Sequence, residues 1–203
     1  MNIISNCCAG AYYYRDYLKS QYQNPFIWNI ISSYDIYNLI KNYNHIDFTN
    51  YEMIKYDRYF KTGLNGVVES QYHYVVGLNI DNTFNVFYPH NYYDPKRKTP
   101  VIDNACCWYY RNFEYTVDNY EKRVRRMLLS KEPPIYLILT QNQLNYTEEI
   151  STRILSDFIN DQIIMITSYK SLQKLATTKH RIILTENINI SPQDVLKRCN
   201  LVI

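Results

Sequence analysis

Apolar and polar positions follow two rhythms along this chain, one helical and one extended, and their order predicts its elements. Ile3-Ile4 opens as a short apolar run, and Ser5-Asn6 follows as a cap-like pair. From Cys8 to about Tyr22 the apolar positions Ala11, Tyr14, Leu18 and Tyr22 recur at helical spacing, and Pro25 closes the segment. The pattern predicts strand, tight loop, helix. Ser33 or Asp35 can cap a second helix running through Ile36, Leu39 and Ile40. Residues 45–65, rich in tyrosine and charge, fit neither rhythm. Two strands are expected at Tyr74–Leu78 and Phe84–Tyr88, joined by the turn-like Asp81-Asn82. Pro89, Pro95 and Pro100 punctuate the loop that follows.

The C-terminal half is more regular. A helix is expected from Asp118 to Leu129, with Val117, Tyr120, Val124 and Leu128 as its apolar stripe and the arginines opposite. Pro133-Pro134 ends it. Then come Ile135–Leu139 (strand), Glu148–Ile159 (helix), Ile163–Ile166 (strand), Ser171–Ala176 (short helix) and Arg181–Leu184 (strand). Ser191-Pro192 sets an N-cap before a proline at the first helical position, which opens a last helix to about Cys199. Strands alternating with helices argue an α/β fold: three layers, an at least partly parallel sheet, and helices on both faces. No internal repeat or linker divides the chain, so residues 1–203 read as a single domain.

Composition removes several classes of function. Of 203 residues 46% are apolar and 20% charged, which excludes disordered, collagen-like and linker readings. Tyrosine is in excess at 23 residues, whereas the 4 glycines fall far below the roughly 14 that average usage would give. A net charge of +3 and a pI near 8.4 are too weak to argue a nucleic-acid partner. The N-terminus has no basic n-region, and runs such as Ile163–Ile166 are far below the ~18 apolar residues of a membrane helix. The expectation is a cytoplasmic protein with no membrane span.

Five cysteines include the adjacent pairs Cys7-Cys8 and Cys106-Cys107. Adjacent pairs make neither a disulfide framework nor CxxC metal spacing, so a reducing compartment is expected. No pair of histidines has metal-ligand spacing, and there is no GxGxxG, GK[ST], HExxH, GxSxG or DxD motif. Neither a metal nor a cofactor is expected.

In open α/β sheets, sites gather beyond the carboxyl ends of the strands. Here those exits are polar: Ser5-Asn6-Cys7-Cys8, Pro89-His90-Asn91, Thr140-Gln141-Asn142, Thr167-Ser168 and Thr185-Glu186. Cys8 falls where a strand turns into a helix, and a thiol there faces unsatisfied N–H groups that lower its pKa. Gly10 keeps that backbone approachable. His90 can hold Cys8 as a thiolate–imidazolium pair, with Asn91, Asn142 or Gln141 orienting the ring. An ordinary packed cysteine gives the same pattern. Lys122, Arg123 and Arg126 share one helix face, which reads either as an anion clamp or as a solvated face paired with Glu121.

Several separated segments, in order, resemble one family. Ile4-Ser5-Asn6-Cys7-Cys8-Ala9-Gly10-Ala11 looks like the opening "ISNNCxGG" of a bacterial domain-of-unknown-function family whose members are often labelled exopolysaccharide-biosynthesis proteins. Tyr13–Leu18 with Asn24-Pro25-Phe26 is similar to its "Y…LGL…SPF". Val75–Asp81 and the later Phe87–Tyr92 resemble "PVG.L.DI…F.HY", and Tyr120–Arg126 resembles "W.RR..RI". Ile138-Leu139-Thr140 with Tyr146-Thr147-Glu148-Glu149 resembles "IMT…TYE". The same order of Cys, Pro-Phe, His and basic helix is similar to a sister family of papain-like cysteine peptidases.

The resemblance spans roughly residues 3–170 and places the family's cysteine on Cys8 and its histidine on His90. Gln141 stands where the family has an acidic residue, and Tyr120 where it has tryptophan. What the resemblance implies is a cysteine-dependent hydrolase or acyl/group transferase associated with surface-polysaccharide biosynthesis, acting on a small-molecule or glycan-linked substrate. Cys8 would be nucleophile, His90 base, and Asn142 a candidate third member; Asn6 or nearby backbone N–H groups would hold the oxyanion. The alternative is a non-catalytic module that grips a phosphate or sugar nucleotide through the helix N-terminus at Cys8 and the face of Lys122, Arg123 and Arg126. A third is a structural partner in polysaccharide assembly.

Overall fold

The computed structural model describes residues 1–27, 29–62, 67–80, 83–89, 92–94, 99–101, 113–199 and 201. Asp81-Asn82, His90, Asn91, Pro95, Cys106-Cys107 and Tyr109-Tyr110 lie outside the described residues.

Two sheets organise these residues. The first is fully parallel, in the order β1 (Ile3–Ser5), β8 (Ile135–Leu139), β9 (Gln162–Thr167), β10 (His180–Leu184). Its register runs Ile3–Ile135, Ile135–Gln162 and Ile163–His180. Central strands of a parallel sheet are covered on both faces, so they must be apolar throughout rather than alternating. Leu137, Ile138, Ile163 and Met165 are accordingly buried, whereas edge strand β10 leaves Arg181 and Leu184 exposed. Helices lie on both sides of this sheet, which makes the fold α/β.

The second sheet is antiparallel, in the order β2 (Asn29–Ile30), β5 (Thr83–Pro89), β4 (Val67–Ile80), β3 (Tyr51–Thr62). β3 and β4 form a long ladder from Tyr51–Leu78 to Thr62–Val67. Residues 45–65, which fitted neither rhythm, therefore contribute a 12-residue strand. A ribbon of β6 (Tyr92–Asp94) and β7 (Thr99–Val101) completes the strands described.

The helices begin where side-chain oxygens meet orphan N–H groups. Ser32, rather than Ser33, caps α2 (Ser33–Asn42) by accepting from the Asp35 N–H at 3.2 Å. Thr147 caps α4 (Glu148–Asp157) through the Ile150 N–H, and Ser191 caps α5 (Pro192–Cys199) through that of Asp194. The segment predicted as one helix to Tyr22 divides. It is α-helical over α1 (Ala9–Tyr12), continues as a wider π-helix over Tyr13–Leu18, and stops at Lys19, whose φ is 47°.

Helix α3 (Phe113–Ser130) corrects the expected stripe. Tyr120, Val124 and Met127 are buried, but Leu128 is 53% exposed. A straight helix at 3.6 residues per turn follows 120, 124 and 127 more closely than 120, 124 and 128. Arg123, three after Tyr120 and four before Met127, is carried onto the buried side and is only 7% exposed. It does not lie opposite the stripe. Tyr120 fixes the helix by donating its hydroxyl to the Phe48 carbonyl at 2.9 Å and packing its ring 4.5 Å from that of Tyr51. Among the described residues no helix is long and apolar enough to cross a membrane.

Candidate functional site

The carboxyl end of β1 is the first place to look, and its polar groups are turned inward. The chain leaves the parallel sheet at Asn6, whose side-chain amide takes over the ladder: Nδ2 donates to the Leu139 carbonyl at 2.8 Å, and Oδ1 accepts the Leu139 N–H at 2.9 Å. Its own carbonyl accepts the Ile31 N–H at 2.9 Å. Asn6 is thus a splice between β1, β8 and the segment before α2. Gly10 is pressed against the same strand, because a Cβ there would lie 2.9 Å from the Ser5 Cβ. Only glycine lets α1 approach β1 this closely.

Cys8 occupies the N-cap position of α1, between strand and helix as the sequence suggests, and is 2% exposed. Burial pushes the neighbouring Cys7 thiol up to about 11, against smaller opposing contributions from the Ala9 backbone and Ser5. A thiol held that high is poorly nucleophilic at neutral pH. The exits of the other strands are tied to one another. Thr140 donates to Thr167 Oγ1 at 2.8 Å, and Gln141 Nε2 donates to the Ile188 and Ile190 carbonyls, each at 3.1 Å. Gln141 therefore anchors the segment before α5 across the end of β8. Asn142 is exposed, and its main-chain N–H meets Asn189 Oδ1 at 3.4 Å.

The basic residues of α3 belong to a second place. Lys122, Arg123, Arg126 and Asn119 form one wall of a cleft of about 330 Å³. Arg15, Ser20, Gln21 and Tyr22, from the π-helical turn and its exit, form the other. Arg126 Nη1 donates to the Tyr22 carbonyl at 3.1 Å, and the Arg123 guanidinium lies 5.0 Å above the Tyr22 ring. Arg15 lies 4.8 Å above the Tyr12 ring and makes a paired contact with Asp16, at 2.6 and 3.0 Å. Lys122 pairs with Asp118 at 2.6 Å.

Arg15 and Lys122 are each paired with an aspartate, so the attraction of this cleft for an anion comes chiefly from Arg123 and Arg126. Burial lowers the pKa of Arg123 to about 9, with Tyr22 opposing the shift and Arg126 adding to it. Two guanidinium groups on one helix, one of them buried, are stabilised by any oxyanion that enters between them. A guanidinium stacked on a ring keeps its N–H edge available for bidentate bonding to phosphate or carboxylate. Ser20, Gln21 and Asn119 add neutral hydrogen-bonding groups beside the cations.

Sequence reasoning found three of the four cations. Asn119 was missed, although it lies three and four positions before Lys122 and Arg123 on the same helical face. Arg15 and Tyr22 were missed as well, because nothing in their local spacing announces a helix about a hundred positions away. Comparisons with protein-family models, curated proteins and solved structures find no match to this chain.

Proposed function

We propose that this chain is an anion-binding α/β module whose basic cleft takes a phosphate-bearing small molecule. The observation that carries the reading is the convergence of Arg15, Lys122, Arg123 and Arg126 on one cleft from two distant segments. Arginine-rich pockets with neighbouring hydroxyl and amide groups suit phosphate, whose oxygens accept several charge-assisted bonds at once. The resemblance of the motif order to that of exopolysaccharide-associated proteins supports a sugar phosphate or sugar nucleotide as the ligand.

Thermal-shift and calorimetric titrations with inorganic phosphate and a sugar phosphate, at constant ionic strength, test this. Saturable binding is expected, absent with chloride and lost in the double variant K122A/R126A. Equal binding by that variant, or none by the wild type, would reject the reading.

A second reading keeps Cys8 as a nucleophile with His90 as its base, and the position of Cys8 between β1 and α1 favours it. Iodoacetamide labelling against pH separates the two. An activated Cys8 labels below about pH 8, whereas a packed one labels only on unfolding. Cys7, buried and held near 11, stays unlabelled as long as the protein is folded.

A further inference from the structure

The last turn of α3 presents a surface that the anion cleft does not use. Leu128 and Leu129 stand side by side and are 53% and 73% exposed. Residues three and four apart are neighbours on a helix, so Arg125 flanks both leucines and Arg126 flanks Leu129. Arg125 is exposed and Arg126 half-buried. Lys131 follows directly, exposed, at the left-handed residue that ends the helix with φ 50°. The acidic groups nearby are engaged: Glu121 accepts from the Tyr51 hydroxyl at 2.9 Å, and Glu132 pairs with the amino group of Met1.

We infer that this end of α3 docks the protein on an anionic lipid surface, with Leu128 and Leu129 entering the acyl boundary and Arg125 and Lys131 on headgroup phosphates. Two adjacent leucines ringed by long cationic side chains have the make-up of an interfacial anchor. The apolar pair gains by leaving water while the cations reach back to the phosphates. Each basic side chain near such a surface adds to the attraction. The complementary charge selects lipid as the occupant. A patch of two side chains also falls well short of the ~800 Å² per partner of a stable protein interface. The inference goes beyond the cleft reading and stands on different side chains.

Co-sedimentation of the full chain with phosphatidylcholine vesicles, with and without phosphatidylglycerol, tests it. Binding is expected only to the phosphatidylglycerol vesicles and should weaken as salt rises. L128S/L129S should lower the partition about tenfold or more, while leaving inorganic-phosphate binding in solution unchanged. R125A/K131A should weaken vesicle binding as well. Phosphate binding in solution without vesicle binding would overturn the inference and leave the cleft intact. Vesicle binding without phosphate binding would do the reverse. Equal vesicle binding by L128S/L129S, or wild-type dimers that this variant abolishes without vesicle binding, would also overturn it.

Discussion

Arg126 donates through Nη1 to the main-chain carbonyl of Tyr22 at 3.1 Å, a bond between residues 104 positions apart. This contact fastens the exit of the π-helical turn to α3, and so brings together the two walls of the basic cleft. It also makes Arg126 serve twice, as a strut and as a source of charge.

Arg126→Ala should therefore both loosen and discharge the cleft. Losing a charge-assisted bond to a partly buried carbonyl costs about 1.5–3 kcal/mol, so the urea midpoint should fall. Arg126→Lys keeps the charge but loses the planar fork. It should recover much of the stability, yet bind phosphate more weakly than the wild type. Urea melts combined with phosphate titration separate the two effects.

Arg123→Met should behave in the opposite sense. Burial of Arg123 depresses its pKa, so the charged form opposes folding. An apolar side chain of similar length removes that opposition, and such replacements are often neutral or stabilising by about 1–4 kcal/mol. The variant should melt at or above the wild-type temperature without phosphate, and should no longer be stabilised when phosphate is added. A large loss of stability in the anion-free protein would show that stacking on Tyr22 outweighs desolvation.

Phosphate-monoester binding should pass through a maximum with pH. Below about 6 the ligand loses its second negative charge. As pH rises through about 9, Arg123 releases its proton and the cleft loses a cation. Because folding lowers the pKa of this cation, stability without ligand should gain from Arg123 as pH climbs above about 9, while binding declines. Calorimetric titration across this range, with melting curves at each pH, checks both signs; binding that strengthens steadily above pH 9 would contradict them.

Asn6→Asp should be severely destabilising although it changes one atom. The new carboxylate oxygen would replace the Nδ2 donor and face the Leu139 carbonyl, now at 2.8 Å from that donor, inside the core. A buried charge without a partner costs about 3–5 kcal/mol. Asn6→Ala leaves the Leu139 N–H and carbonyl without the amide that bonds them, and should cost about 1–3 kcal/mol for each group left unsatisfied. Chemical denaturation of both variants, with Asp the worse, tests whether Asn6 acts as a splice in the fold.

The regular elements were legible wherever local physics decides them. The strand Ile135–Leu139 is a continuous apolar run because it lies at the centre of a parallel sheet. The helix from Pro192 was marked by Ser191, whose hydroxyl accepts the Asp194 N–H. The strand Tyr51–Thr62 was hidden, because tyrosine and charged residues blur the alternation that identifies a half-buried strand. Leu128 was assigned to the apolar stripe and Arg123 to the polar face, and both changed places. Spacing indicates which residues share a face of a helix; which face the rest of the protein covers is settled elsewhere.

By itself, the sequence determined the α/β alternation, most helix starts and the cluster of Lys122, Arg123 and Arg126 on one helix. Those properties follow from periodicity and capping, which act over a few residues. Only the tertiary structure decided that Asn6 spends its amide on Leu139, that Arg123 is buried over Tyr22, and that Arg15 joins the α3 cations across a cleft. These are contacts between positions about a hundred residues or more apart. They exist because the long insertion between β1 and β8 returns α3 beside the segment that leaves β1, a route that no local pattern encodes.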